Sequence, residues 1–392
     1  MQRTFCAALL PLLLGTTPLA AARVDHLDPN PATGASLAVV VDPVPLAHTA
    51  QFLPVDDRGE IIARGDVRRQ TEAVLVRLDA ALKTANSSLA EAVKLNISVA
   101  RPELSAAVSA VLAQRFPGNA KPAVAFVGGT LPHPDALVAI DAVAVSRART
   151  TGAAPVHYPG ANPRRSAVSV LPPTGVVYVA GLADKSELGP ATTVTLDKIV
   201  SAITHLGLQR RDIVQLKAFL RPMSRVQEAE RAIAEFFGSD VVPPVVYVEW
   251  ISPGTPIEIE AVVAAPTSPA ERSVTYHTPP DTTRSPVYSR LARLHHGRRI
   301  YVSGLIGTSS AENDVTDIYR QLDDIITRTG SSREHLLKAT YYFSDPKSNA
   351  RLDAFRPGYY NKDTPPAASK AQVSHVGRPE RGITIDMIAG MK

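Results

Sequence analysis

Three Pro-led apolar segments decide the fold of this chain: PAVAFV at residues 122–127, PPVVYV at residues 243–248 and PAASKA at residues 366–371. The three segments begin 121 and 123 residues apart. This period is too long for a solenoid repeat and suits a whole small domain. The sequence therefore predicts three tandem copies of one domain, which together can close around a pseudo-threefold axis.

Each copy shows the same order of elements around its Pro-led segment. An amphipathic helix, an apolar strand and a second helix come before it, and a strand that carries an acidic residue follows it. The acidic residues are Asp141, Glu260 and Asp386. Two helices and a mixed sheet in each copy predict an α+β fold with the helices on one face of the sheet. The predicted domains comprise residues 23–150, 151–268 and 269–392.

Three local predictions are specific enough to compare with a structure. Residues 46–53 have the pattern of one continuous strand. Residues 350–360 have the pattern of a helix, which Pro357 must end or kink because proline lacks a backbone N–H. His295 and His296 lie between two apolar segments and are predicted to form a hairpin turn.

The first 22 residues have the composition of a secretory signal peptide. Arg3 supplies a positive start, residues 7–14 are apolar, and the small residues at 20–22 offer a cleavage site. Cys6 is the single cysteine of the chain, so cleavage would leave a mature protein without disulfides or thiolate ligands. We therefore expect a secreted or periplasmic protein, and no other segment is long and apolar enough to span a bilayer.

The charge of the chain argues against a nucleic-acid partner. A net charge of +5 is spread along 392 residues, whereas nucleic-acid binding usually needs a dense basic surface with interleaved aromatic residues. The ten histidines show no metal-binding spacing, and the chain has no Gly-rich phosphate loop. The sequence thus predicts neither a metal nor a cofactor.

Several weak motifs, in a fixed order, resemble the RidA/YjgF/UK114 family, also called the L-PSP endoribonuclease family. The third copy carries them most clearly, with Tyr288 and Ser289 before IYVSG at residues 300–304 and IDMIA at residues 385–389. The resemblance implies two-layer, chorismate-mutase-like domains. It also implies that this one chain forms a monomeric pseudo-trimer around a central β core, with small-molecule clefts between domains.

The activity implied by the resemblance is hydrolysis of reactive enamines and imines such as 2-aminoacrylate. The site residues that it implies include the catalytic candidates Asp386, Lys370 and Tyr288. The substrate-binding candidates are Ser289, Ser303, Gly304 and Ser369, and the matching acids of the other copies are Asp141 and Glu260.

One family position departs from the pattern in all three copies. The arginine of the family's P-A-R-S motif, which holds the substrate carboxylate, is replaced by Val124, Val245 and Ala368. A charge-assisted contact contributes about 1.5–3 kcal/mol, so this loss weakens substrate binding by about one to two orders of magnitude. Lys370 lies two residues further along the same strand face and is either a replacement cation or a solvated lysine.

Three functions remain open from the sequence. The chain is an enamine or imine hydrolase if Lys370 and Asp386 face a common cleft. It is a non-catalytic small-molecule-binding or interaction protein if the cleft is dry. Ribonuclease action is the third possibility, although the sequence shows no cluster of His, Lys and acidic residues of the kind that RNA cleavage needs.

Overall fold

The computed structural model describes residues 22–280, 282–308 and 311–391. Within these ranges the chain forms eighteen strands and six α-helices. The strands are β1 (Val24–Leu27), β2 (Ala38–Val41), β3 (Leu46–Thr49), β4 (Ala92–Val99), β5 (Ala123–Gly128), β6 (Val138–Val145), β7 (Val156–Pro159), β8 (Ser166–Leu171), β9 (Gly175–Asp184), β10 (Ile213–Leu220), β11 (Val245–Glu249), β12 (Ile257–Ala265), β13 (Val274–His277), β14 (Leu291–Leu294), β15 (Arg299–Val302), β16 (Leu336–Phe343), β17 (Ala367–Gln372) and β18 (Ile383–Gly390). The helices are α1 (Val67–Thr84), α2 (Leu104–Arg115), α3 (Leu188–Thr204), α4 (Val226–Phe237), α5 (Asp314–Arg328) and α6 (Pro346–Tyr359).

The strands form three six-stranded mixed sheets, which confirms the predicted α+β fold. Their orders are β5-β4-β6-β3-β8-β7, β11-β10-β12-β9-β14-β13 and β1-β2-β15-β18-β16-β17. In each sheet the Pro-led strand pairs parallel to the strand before the second helix. Each pair of helices buries its apolar stripe against one sheet face. The opposite faces of the three sheets share a central apolar cluster, so the helices lie on the outside.

The first two strands of each sequence copy pair with the sheet of another copy. Strand β8 pairs with β3, β14 with β9, and β2 with β15. The N-terminal strands therefore complete the sheet of the C-terminal copy, with Val41 opposite Arg299. This exchange links the three copies by backbone hydrogen bonds in addition to side-chain packing.

The predicted hairpin turn at His295 and His296 is wrong, because β14 and β15 pair with different sheets. The equivalent connections in the other two copies follow β2 and β8. The first contains Pro43 and Pro45 and the second Pro172 and Pro173, and the fixed backbone torsion of proline restricts the turns that these connections can form. Spacing along the chain cannot distinguish a hairpin from such an exchange, since both need the same strands.

Two element boundaries also differ from the sequence prediction. The strand expected over residues 46–53 ends at Thr49. Helix α6 begins four residues early, at Pro346, because Asp345 caps it by accepting hydrogen bonds from the backbone N–H groups of Lys347 and Ser348. Pro357 lies inside the last turn, and the helix ends two residues after it.

The predicted signal peptide, with Cys6 in it, lies outside the described residues except for Ala22. None of the helices in the described ranges combines the length and hydropathy that crossing a bilayer requires.

Candidate functional site

Three clefts lie at equivalent positions, each where a Pro-led edge strand meets the sheet of another copy. The cleft between the second and third copies has a volume of about 830 Å³. We call it the main cleft. The cleft between the first and second copies measures about 170 Å³, and the cleft between the third and first about 400 Å³.

The walls of the main cleft come from both copies. Strands β9 and β12 of the second copy contribute Gly181 and Glu258, and β17 of the third contributes Ala368 and Lys370. Tyr288, just before β14, closes one side. Ala368 and Lys370 face the cleft together because side chains two residues apart lie on the same face of a strand.

Glu258 is the acidic residue of the main cleft that sequence reasoning missed. Its carboxylate lies over Gly181, so that a Cβ atom at this glycine would overlap Oε1 of Glu258. Burial, with a smaller effect from the neighbouring Glu260, raises the pKa of Glu258 to about 8, and the group is therefore mostly protonated at neutral pH. The sequence could have indicated Glu258 because it is a second acidic residue on β12, two positions before Glu260. The closing strands of the first and third copies have Ala139 and Thr384 at this position.

Arg290 supplies a cation without a carboxylate partner. Its guanidinium lies 5.1 Å from the centre of the Tyr288 ring, and its buried Nε atom has no hydrogen-bond partner. Among the described residues no carboxylate oxygen lies within 4.0 Å of this side chain. The positive charge of Arg290 lowers the pKa of the Glu258 carboxyl, but burial raises this pKa by a larger amount. A carboxylate ligand would therefore meet an available guanidinium here.

Lys370 lines the main cleft but already has an anionic partner. Its ammonium group donates to both carboxylate oxygens of Asp353, at 2.9 and 2.8 Å. Asp353 also pairs with Arg356. Arg290 is therefore a better candidate than Lys370 to replace the missing family arginine.

Asp386 does not share a cleft with Lys370, which corrects the sequence expectation. Asp386 lies beside the pseudo-threefold axis, where the ammonium of Lys94 donates to it at 2.6 Å. Asp386 lies in the middle of β18, opposite Thr340 of β16. The pairing with Lys94 supports the structural alternative for this residue.

The other two acids of the closing strands are buried in the same way. Glu260 pairs with Lys338 at 2.6 Å and accepts a hydrogen bond from Ser369. Asp141 accepts from the Asn96 amide at 2.8 Å, and burial raises its pKa to about 6.

The serine and glycine candidates divide between two clefts. Ser369 borders the main cleft, although its hydroxyl is bound to Glu260. Ser289 is buried beside it, and its backbone N–H donates to Pro366 at 2.9 Å. Ser303 and Gly304 line the cleft between the third and first copies instead, and the Ser303 hydroxyl donates to the Ser36 carbonyl at 2.6 Å.

The cleft between the first and second copies is closed by its own side chains. Arg165 holds the place of Tyr288, since each precedes a serine whose N–H binds the Pro-led segment. Its guanidinium lies 3.3 Å from Glu230. Tyr247 stands where the main cleft has Lys370. In the remaining cleft, Arg378 covers the Phe126 ring at 4.4 Å.

The family comparison agrees with the repeat pattern. The model of the family described as Endoribonuclease L-PSP matches residues 29–146 and 282–391, which is more than half of the chain. This chain belongs to the Endoribonuclease L-PSP family. Solved structures of RidA/YjgF-type proteins are similar to single copies within it.

Three such structures show the extent of the similarity. The conserved Rid family protein YyfB from Yersinia pestis is 28% identical, with 32% of this chain and 98% of that chain covered and a TM-score of 0.29. A putative endoribonuclease from Thermotoga maritima is 31% identical, with 29% and 86% covered and a TM-score of 0.24. Yeast Mmf1 is 23% identical, with 32% and 100% covered and a TM-score of 0.24.

The main cleft of this L-PSP family protein depends on the copy that the family model does not match. Gly181 and Glu258 both lie between the two matched segments. They form the site together with Tyr288 and Arg290 from the matched third copy. No group of three or more metal-ligating side chains occurs in the described part of the chain.

Proposed function

We propose that this L-PSP family protein hydrolyses imines or enamines that carry a carboxylate, in the main cleft. The observation that carries the proposal is the guanidinium of Arg290, which no described carboxylate pairs with, in the same cavity as Glu258, which is mostly protonated at neutral pH. A guanidinium binds a carboxylate through two parallel hydrogen bonds, which fixes both the position and the orientation of the ligand.

Glu258 supplies the proton transfers in this proposal. In its neutral form it donates a proton to the enamine carbon or the imine nitrogen, and it becomes a carboxylate. The carboxylate then accepts a proton from the water molecule that adds to the C=N carbon. The resulting carbinolamine loses ammonia and leaves a keto acid, so one water is consumed for each ammonia released. General acid–base catalysis of this kind contributes about 10²- to 10⁴-fold.

The test follows keto-acid formation from an imine generated enzymatically, first 2-aminoacrylate and then an imine with a larger side chain. The protein used comprises residues 23–392. We expect faster keto-acid formation than in buffer, with ammonia released in equal amount. Binding of the keto acid without turnover would contradict hydrolysis and favour the non-catalytic binding function. RNA cleavage at two salt concentrations tests the ribonuclease alternative.

The location and assembly of the protein are part of the same proposal. Residues 1–22 direct export, and the mature chain acts as a monomer whose three copies replace the three subunits of a trimer. N-terminal sequencing of the protein from fractionated cells is expected to begin near Arg23. Light scattering is expected to give the mass of one chain, and a mass three times larger would contradict the monomer.

A further inference from the structure

A small polar cavity lies on the pseudo-threefold axis, apart from the three clefts. Its volume is about 50 Å³. One end is formed by His48, Tyr178 and Tyr301, which occupy equivalent positions on β3, β9 and β15. The other end is formed by buried lysines and acidic residues from all three copies. Such a volume holds a few water-sized groups at most, which excludes an organic metabolite.

The end formed by the aromatic side chains presents hydrogen-bond donors that have no acceptor. The hydroxyls of Tyr178 and Tyr301 and the ring nitrogens of His48 are buried without a hydrogen-bond partner among the described residues. Burial lowers the pKa of His48 to about 3, so its ring is neutral and supplies one N–H donor. The nearby Gln215 does not satisfy His48 with its amide N–H, which donates to the Thr49 carbonyl at 2.7 Å. Each buried group left without a hydrogen bond destabilises the folded protein. An occupant that accepts several hydrogen bonds would remove this cost.

The charges around the axis leave a positive excess. Two ion pairs are closed, since Lys94 binds Asp386 and Lys338 binds Glu260, both at 2.6 Å. The third lysine, Lys217, lies 3.6 Å from Glu260, whose carboxylate is already engaged by Lys338. Of the three acidic residues, only Asp141 then remains to balance Lys217.

Arg299 adds a fourth cation next to the tyrosines. Its side chain is 0% exposed, and the positive charge acts on both Tyr178 and Tyr301. One N–H donates to the Thr174 carbonyl at 3.2 Å, whereas Nε and Nη1 have no partner. No carboxylate oxygen in the described ranges lies within 4.0 Å of this guanidinium. A buried cation without a counter-ion is destabilising, because its loss of hydration is not compensated.

We propose that the axial cavity binds a monovalent inorganic anion of halide size, held by the hydroxyls of Tyr178 and Tyr301 and the N–H of the His48 ring, next to the guanidinium of Arg299. The anion balances the excess charge of Arg299. It accepts the hydrogen bonds that the protein leaves unmade and offsets a buried positive charge, which a neutral water molecule cannot do. Because His48, Tyr178 and Tyr301 come from different copies, the bound anion stabilises the contact among the three copies.

The first measurement is the crystal structure of the wild-type protein from sodium bromide, with anomalous scattering recorded for bromine. We expect an anomalous peak on the axis, within hydrogen-bond distance of the Tyr178 and Tyr301 hydroxyls. The second is thermal unfolding in sodium bromide against sodium gluconate at equal ionic strength. The midpoint is expected to rise with bromide and not with gluconate, since only an anion that binds the native state shifts the unfolding equilibrium.

Tyr301→Phe removes one hydrogen-bond donor without changing the charge. The bromide concentration that gives a stated rise in the unfolding midpoint is expected to be about tenfold higher than for wild type. The matched control is Tyr319→Phe, a buried tyrosine of the third core whose hydroxyl pairs with Tyr360. The control is expected to keep the bromide dependence of wild type. The proposal fails if bromide crystals show no axial peak, or if bromide and gluconate give the same midpoint. The wild-type measurements decide the question even if Tyr301→Phe does not fold.

Discussion

The main cleft and the cleft between the first and second copies occupy the same place in the fold but hold different chemistry. In both, a serine backbone N–H donates to a carbonyl at the start of the Pro-led segment of its own copy, Val242 for Ser166 and Pro366 for Ser289. Arg165 in the smaller cleft pairs with Glu230 at 3.3 Å, whereas Arg290 in the main cleft has no carboxylate partner within the described ranges. Glu258 is present in only one of the two clefts, since the matching residue of the first copy is Ala139.

The difference teaches that one scaffold can carry different side chains at equivalent places. The backbone pairing is the same in all three sheets, and only a few side chains at strand ends decide whether a cleft can bind and react. Function in such a molecule belongs to a site placed on the fold and does not follow from the fold itself. The predictions below test whether the main cleft alone is active.

The largest effect is expected from Glu258→Gln. The amide cannot exchange a proton, so kcat for imine hydrolysis is expected to fall about 10²- to 10⁴-fold. The matched control is Glu230→Gln in the smaller cleft, which is expected to leave keto-acid formation unchanged. Equal activities of wild type and Glu258→Gln would show that another group transfers the proton.

Gly181→Ala tests the position of the Glu258 carboxylate. The new methyl group would overlap Oε1 of Glu258 and displace it, and a shift of about 1 Å in a catalytic group can reduce the rate about 100-fold. The control is Gly304→Ala in the cleft between the third and first copies, where the added Cβ would lie 3.2 Å from its nearest atoms. Activity measured beside the thermal midpoint separates displacement from unfolding, and an unchanged rate in Gly181→Ala would contradict this geometry.

Arg290→Met removes the proposed carboxylate anchor and is expected to raise KM about 10- to 100-fold. Lys370→Ala is expected to change KM less than about threefold, because Asp353 already neutralises the lysine. Steady-state kinetics of both variants measure the contrast, with Arg378→Met in another cleft as the control. The reverse order of effects would restore Lys370 as the anchor.

The smallest effect concerns pH. The folded protein raises the pKa of Glu258 from its ordinary value of 4.5 to about 8. As the pH rises, the unfolded chain therefore loses this proton at a lower pH than the folded protein does. The contribution of the neutral carboxyl to stability is therefore fully present below about pH 4.5 and declines up to about pH 8, by no more than about 1.4 kcal/mol per pH unit. Activity that depends on the neutral form is expected to fall above about pH 8.

Urea unfolding at several pH values measures this effect as the difference in unfolding free energy between wild type and Glu258→Gln. The glutamine variant lacks the titrating group, so its stability is expected to fall less between these pH values. Asp141 has a pKa raised to about 6 in the same range, but it is present in both proteins and cancels in the difference. Parallel pH profiles would mean that the pKa of Glu258 is close to its ordinary value.

The sequence by itself determined the threefold repetition, the two helices and mixed sheet of each copy, and the resemblance to the L-PSP family. These features follow from local patterns, because helix and strand periodicities and the Pro-led segments are set by neighbouring residues.

Only the tertiary structure decided which residues meet. Asp386 was predicted as catalytic, but it pairs with Lys94, which lies 292 residues earlier. The cleft instead joins Glu258 to Arg290, and the exchanged N-terminal strands bring Val41 to Arg299. A local pattern fixes the face of a strand on which a side chain lies. The partner on the facing copy depends on how three sheets close around one axis, and no periodicity within one copy contains that information.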